Sequence, residues 1–371
     1  MMISRPLDAQ SSTMVPEASS DVSPQGPAIV SAYFISENNW QTFVQSLSRT
    51  ARVYYPEAAG EDYHLTRAPQ GAHPAISFSR YRTVQSLKSL LFEPRRGVGS
   101  YFGGSGEEES GGEQVVVGVK ACDLKGLAVL DFVFKSEVAD PFYLRNRERT
   151  LIISSDCTAF KEVCFCVLAG GEPHAEGGFD LNCSCLPGGS IVEAGTPAGR
   201  ALVERFKDYF TPAAREQLEQ RAADRERVAS LLAAHQRGLG YLWGGVTREL
   251  MERVFESSVW EQEAERCVEC GACNFVCPTC HCFLLSDHGR EVFGRVRKWD
   301  SCQYKGFARV GSGANPRPEL YQRLRNRYEK KLRFCPVVIG MSGCTGCGRC
   351  VEACIGKIDM REVLKKLSGC K

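Results

Sequence analysis

Apolar positions change period several times along the chain, and each change marks an element. Trp40, Phe43, Val44 and Leu47 recur at helical spacing, and Arg52-Val53-Tyr54-Tyr55 before Pro56 has the character of a strand entering a turn. Gln114 to Val119 is an apolar run of the kind shown by a strand buried on both faces. Asp123 to Phe134 is an amphipathic helix, and Thr150 to Ser154 a second strand. Strand, helix, strand implies parallel pairing through a right-handed crossover, so residues 29–195 are expected to form an α/β domain. From Pro197 to Gly238 the period is helical, with Leu202, Phe206 and Phe210 on one face and Leu218, Val228, Leu231 and Leu232 further on. Residues 196–262 therefore read as a helical connector, closed by a helix carrying Leu250, Val254 and Phe255. Leu320, Tyr321, Leu324, Tyr328 and Leu332 fit one more helix.

Polar stretches fill the gaps. Residues 1–28 are rich in Ser, Pro, Gln and Asp and read as a disordered arm. The glycine-rich acidic run from Gly103 to Gly112 is a solvated loop without the Gly-Lys-Ser/Thr ending of a phosphate loop. No Gly-x-Gly-x-x-Gly follows a strand, which argues against a dinucleotide site. A net charge of +2 argues against nucleic acid as a partner. No apolar run approaches the ~20 residues of a membrane span, so no transmembrane segment is expected. The chain opens without an apolar signal core, and its nineteen cysteines then belong to a reducing, cytoplasmic compartment rather than to a disulfide scaffold.

The cysteines carry the chemistry. Two strings, Cys267-x2-Cys270-x2-Cys273-x3-Cys277-Pro278 and Cys344-x2-Cys347-x2-Cys350-x3-Cys354, have the spacing of a pair of [4Fe–4S] clusters. Three cysteines at +3 spacing wrap one cube in a tight loop, and the fourth reaches away to the other cube. The expected ligand sets are thus Cys267, Cys270, Cys273 with Cys354, and Cys344, Cys347, Cys350 with Cys277. Structural zinc also uses Cys-x2-Cys pairs but needs neither the third cysteine nor the x3-Cys arm. Sixty-six residues separate Cys277 from Cys344, and with the helical flanks this favours a mainly helical two-cluster ferredoxin-like domain over residues 263–371, with an insertion at 278–343.

Eleven cysteines remain. Cys122 ends a strand, and Cys157, Cys164 and Cys166 follow the next one. Both segments emerge at the carboxyl edge of a parallel sheet, where α/β folds bind ligands. A third iron–sulfur centre there competes with a set of reduced, partly buried thiols. Cys183 and Cys185 form a further pair, and Cys280, Cys282 and Cys302 a second surplus group; Cys335 and Cys370 have no partner pattern. Residues 290–333 hold thirteen Arg and Lys against four acids, and such cations offset the negative charge of a thiolate-bound cluster.

Several segments together resemble one family. They are Gly118-Val-Lys-Ala-Cys122-Asp123-Leu124, Asp156-Cys157, Cys164-Phe165-Cys166, Cys277-Pro-Thr-Cys280-His-Cys282-Phe283, Arg297-Lys-Trp-Asp-Ser-Cys302 and Cys344-Thr-Gly-Cys347-Gly-Arg-Cys350. The family is that of iron–sulfur electron-transfer subunits related to the β subunit of soluble sulfhydrogenases and to the iron–sulfur electron-transfer component of anaerobic sulfite reductase. The resemblance spans residues 40–365 and implies an α/β domain before the ferredoxin-like one. It implies an anaerobic, multisubunit oxidoreductase in which this subunit, itself without catalytic residues, passes electrons from an NAD(P)H-oxidising flavoprotein to a catalytic subunit. That subunit could be a hydrogenase, a sulfite reductase, a heterodisulfide reductase or similar. A self-contained sulfur or disulfide reductase with an extra cluster is the alternative. Ile355 stands where the family has proline after Cys354, and its amide is expected to reach the cluster sulfurs.

Overall fold

In the computed structural model the described residues are 32–69, 75–101, 112–136, 139–241, 248–289 and 293–369. The expected arm at 1–28, nearly all of the acidic glycine loop and Cys370 lie outside them. The first region comprises β1 (Ala32–Ser36), α1 (Glu37–Ser48), β2 (Arg52–Ala59), β3 (Asp62–Arg67), α2 (Lys88–Leu91) and β4 (Arg95–Ser100). It continues through β5 (Gln114–Val119), α3 (Ala121–Lys135), α4 (Pro141–Glu148), β6 (Thr150–Ser155), β7 (Leu181–Leu186) and β8 (Gly189–Ala194). Then follow α5 (Pro197–Arg205), β9 (Phe210–Pro212), α6 (Arg215–Gly238), α7 (Arg248–Arg253), α8 (Val259–Ala264) and α9 (Ala272–Phe275). The chain ends in β10 (Phe283–His288), β11 (Gly294–Trp299), α10 (Leu320–Glu329), α11 (Cys335–Ile339), α12 (Arg349–Glu352) and α13 (Met360–Ser368).

Eight strands form one sheet in the order β3-β2-β5-β6-β7-β8-β1-β9. The central pairs β2–β5, β5–β6 and β6–β7 are parallel and the flanking pairs antiparallel. β5 is buried along its whole length, as its unbroken apolar run requires. One face packs on α1 and α5 through Phe43, Val44, Val117, Leu181 and Leu202; the other packs on α3 and α4 through Leu127, Leu130, Tyr143 and Ile152. β2 does not turn at Pro56 but runs on against β3 to Ala59. Pro56 has no N–H to give, and the parallel ladder to β5 stops at Tyr54↔Val116. Opposite Pro56, Gly118 adopts φ +77° in a bulge of β5, and a Cβ there would lie 2.9 Å from the proline ring.

The helical period expected across Phe210 breaks. α5 ends at Arg205, and Phe210 opens a short strand paired with β1, where it and Phe206 meet the Phe43 ring edge-on at 5.5 and 5.2 Å. Pro212 cannot continue a helix, so a core contact shared by a turn and a strand imitates an i, i+4 pair. In the C-terminal part, helices pack through Leu250, Trp260, Leu324, Tyr328, Val363 and Leu367. The insertion also holds strands that the periodicity missed: β10 and β11 form a hairpin, and β4 from the first region adds to it. Among the described residues no helix is long and apolar enough to cross a membrane.

Candidate iron–sulfur site

The first cysteine loop leaves α8 at Cys267, whose amide donates to the Ala264 carbonyl at 2.9 Å. It then turns through left-handed residues at Glu269 (φ 53°) and Gly271 (φ 72°), and Gly271 starts the one-turn α9. A Cβ on Gly271 would sit 2.8 Å from the Tyr304 hydroxyl, so the turn needs glycine both for its dihedral and for its space. Cys267, Cys270 and Cys273 line one cavity, and two cysteines of the other string, Cys350 and Cys354, share its wall. The Ile358 amide donates to Cys354 Sγ at 3.3 Å. The sulfur's backbone donor is therefore three residues beyond Ile355, the one the sequence pointed to.

The second loop repeats the geometry, with Gly346 at φ 65° and Gly348 at φ 72° opening α12. Cys344 and Cys347 are buried, and Cys350 lies within electrostatic reach of Cys347 and of Cys277 from the first string. The Lys331 ammonium donates to Cys277 Sγ at 3.3 Å, to Thr279 Oγ1 at 2.7 Å and to the Gly343 carbonyl at 3.0 Å. A contact with the Cys280 thiol, then Lys331 and Arg327, hold the Cys277 thiol well below its usual range.

These donors fit an anionic group with a cationic core. Burial pushes the Cys273 and Cys344 thiols up to about 12, so their thiolates need positive charge close by. Arg327 supplies part of it: it is buried between the loops, donates through Nη2 to the Cys273 carbonyl at 3.1 Å, and has no partner for Nε among the described residues. Among those residues no three Cys, His, Asp or Glu side chains close on a single-ion position; the cysteines line a cavity wall instead. Part of the basic stretch of the insertion thus folds inward. Arg297, Arg323, Arg325, Arg327 and Lys331 are all buried, and Arg297 pairs with Asp140, Arg323 with Glu269.

The α/β sheet grips the second loop. Arg349 forms a bidentate pair with Asp123 at 2.9 and 2.8 Å, both side chains buried, and also donates to the Thr83 carbonyl at 3.0 Å. Arg82 donates to the Cys347 carbonyl at 2.8 Å and pairs with Glu352. The Phe165 amide donates to the Gly346 carbonyl at 2.8 Å. The thiols singled out at the sheet edge meet here. Cys157 lies within electrostatic reach of Cys164, Cys166 of both, and Cys122 of Cys157 and Cys347. Burial raises all four thiols, Cys157 to about 11 against the pull of the Lys120 ammonium. Lys120 is itself buried and capped by Ser79, Ser155 and Asp156 at 2.7–2.9 Å. Cys183 departs from this group, fully buried in the sheet core. The surplus thiols Cys280, Cys282 and Cys302 gather on the opposite side of Cys277, with Cys335 nearby. Arg82, Lys88 and the Arg349–Asp123 pair went unseen in the sequence, since each acts across more than 180 residues.

A family model described as a 4Fe-4S dicluster domain matches residues 266–358, which hold both cysteine loops. Over 330 residues the chain is 31% identical to sulfhydrogenase 2 subunit beta of Pyrococcus furiosus, with 88% of this chain and 95% of that protein covered. The likeness therefore extends through the α/β part that grips the loops, and the chain belongs to the family of sulfhydrogenase β subunits, iron–sulfur proteins with a 4Fe-4S dicluster domain.

Proposed function

We propose that this chain relays single electrons between an NAD(P)H-linked flavoprotein and the catalytic subunit of an oxidoreductase complex, through two [4Fe–4S] clusters with crossed ligands. Cys267, Cys270, Cys273 and Cys354 would hold one, and Cys344, Cys347, Cys350 and Cys277 the other. The observation that carries this reading is the placement of the fourth cysteines: Cys354 lines the cavity of the first triplet, and Cys277 reaches the second. Such clusters supply one-electron transfer, which a flavin needs to divide a hydride into single electrons.

The protein's own residues set direction and potential. Around the first loop Cys270 is exposed, as are Val268 in the same string and Ile355 next to Cys354, 58% and 68% exposed; such exposed apolar side chains suit a docked redox partner. The second loop lies inward, beneath the sheet edge, and Lys331 stands beside Cys277, the first-string sulfur that would complete its cluster. Cys122, Cys157, Cys164 and Cys166 would hold a third centre, next in line beyond Cys347. The name of the Pyrococcus relative supports a hydrogenase as the catalytic partner.

Anaerobic mixing tests the role. With NAD(P)H the purified chain should remain oxidised, and its visible absorption should bleach only when the flavoprotein is added. Bleaching by NAD(P)H alone, or turnover of a sulfur substrate by the isolated chain, would reject the relay.

A further inference from the structure

The cavity on the far side of Cys277 holds about 240 Å³ and is walled by Cys280, Cys282 and Cys302, with Cys335 at its edge. We propose that Cys280, Cys282 and Cys302 bind an additional [4Fe–4S] cluster through three of its irons, the fourth facing the open cavity. This cluster is separate from the crossed pair and from the thiols at the sheet edge.

Chain geometry first brings the three cysteines to the wall of one cavity. Cys282 immediately precedes β10 and Cys302 follows β11 by three residues, so the hairpin register Phe283↔Trp299 sets the two cysteines side by side. The Asp300 amide closes the junction on the Cys282 carbonyl at 3.0 Å. Cys280 sits two residues earlier, on a turn anchored by Lys88, which donates to the Cys280 carbonyl at 3.1 Å and the Asn274 carbonyl at 3.2 Å.

The sulfurs also receive what cluster sulfurs receive. Asn274, 1% exposed, aims its amide at them, Nδ2 lying 3.0 Å from Cys302 Sγ and 3.9 Å from Cys282 Sγ, and Gln303 Nε2 is 3.6 Å from Cys302 Sγ. Amide donors at this depth match ligand thiolates better than neutral thiols, which accept hydrogen bonds weakly.

Charge points the same way. Lys88, Arg327 and Lys331 are buried around these residues, and no carboxylate lines the cavity among the described residues. Buried cations need anionic partners. Apolar Val129, Val133 and Ile339 form part of the remaining wall and offer those cations no anion. On ligation each of the three thiols gives up its proton, and the resulting anionic cluster offsets those cations. Cys335 lies on α11, outside the hairpin, and the charged groups that act on its thiol are Lys331, Lys330 and Cys277, not Cys282 or Cys302; it leaves the fourth iron open.

Full-length protein prepared without oxygen allows a direct test by iron and acid-labile sulfide analysis with paramagnetic resonance of reduced samples. Cys282→Ser and Cys302→Ser should each lose about four irons while the signals of the crossed pair persist. Cys335→Ser should keep the full complement. Unchanged iron in both hairpin variants, or a loss in Cys335→Ser, would overturn the proposal. If the hairpin variants lost all iron and unfolded, alkylation of the wild type decides. Iodoacetamide should label Cys282 and Cys302 only after a chelator has removed iron, whereas Cys335 reacts before. Labelling of the pair that the chelator does not change would overturn the proposal.

Discussion

The two cysteine loops have the same spacing and nearly the same backbone, yet they sit in opposite surroundings. Gly271 and Gly348 occupy the same step of each string and share φ 72°. Two residues earlier the first loop has Glu269 and the second Gly346, both left-handed. Glu269 keeps its side chain because that loop faces solvent and Arg323. Gly346 cannot carry one: a Cβ would lie 2.5 Å from Phe165 O and Cys166 Cα. One residue beyond the shared glycine, Ala272 in the first loop corresponds to Arg349 in the second, the residue clamped to Asp123. Cysteine spacing thus sets the coordination chemistry, and the residues between the cysteines decide which loop is locked to the α/β sheet and which is left for a partner.

The sharpest way to break this contrast is to remove the clamp. Arg349→Ala strands the buried Asp123 carboxylate and should lower stability in urea by about 3–5 kcal/mol. A loss below about 1 kcal/mol would mean that the sheet does not hold the second loop. Next in size, Gly346→Ala should destabilise by about 1–3 kcal/mol through overpacking, with about 1 kcal/mol more from the left-handed backbone. The matched change in the exposed loop, Glu269→Ala, should cost no more than about 1 kcal/mol, since Arg323 keeps its bonds to the carbonyls of Gln303, Arg317 and Pro318. Equal losses at the two positions in urea melts would erase the distinction.

The contrast extends to redox tuning. Lys331→Met removes a buried cation 3.3 Å from Cys277 Sγ, which disfavours the more negative reduced state. The potential of the cluster held by Cys344, Cys347, Cys350 and Cys277 should fall, and that of the other should move far less. A redox titration in which both fall together would place Lys331 between them electrostatically. Smallest of all is Ile355→Pro. Because the amide on Cys354 Sγ belongs to Ile358, the change should leave both potentials in place, and a clear drop in either would show that the Ile355 amide also reaches a sulfur.

Much of this was legible locally. The strand, helix and strand around Cys122 and Cys157 announce themselves by apolar period, and the two strings by spacing, because both signals lie within a few residues. Pairings across the chain were not. Asp123 and Arg349 both stand in segments noted for their cysteines, yet nothing in a sequence shows that an acid and a base 226 residues apart share a bidentate bond. β4 joins the hairpin of β10 and β11 from nearly two hundred residues away. The hairpin itself escaped notice because Leu284 and Leu285 are exposed in succession while Arg297 is buried, the reverse of the alternation that identifies a half-buried strand.

The central claim is that each string lends its fourth cysteine to the other's cluster. Paramagnetic resonance of reduced Cys267→Ser, Cys354→Ser, Cys277→Ser and Cys344→Ser proteins tests it most directly. Cys267→Ser and Cys354→Ser should alter one signal, and Cys277→Ser and Cys344→Ser the other. If Cys354→Ser instead altered the same signal as Cys344→Ser, each string would close its own cluster and the crossed relay would be wrong.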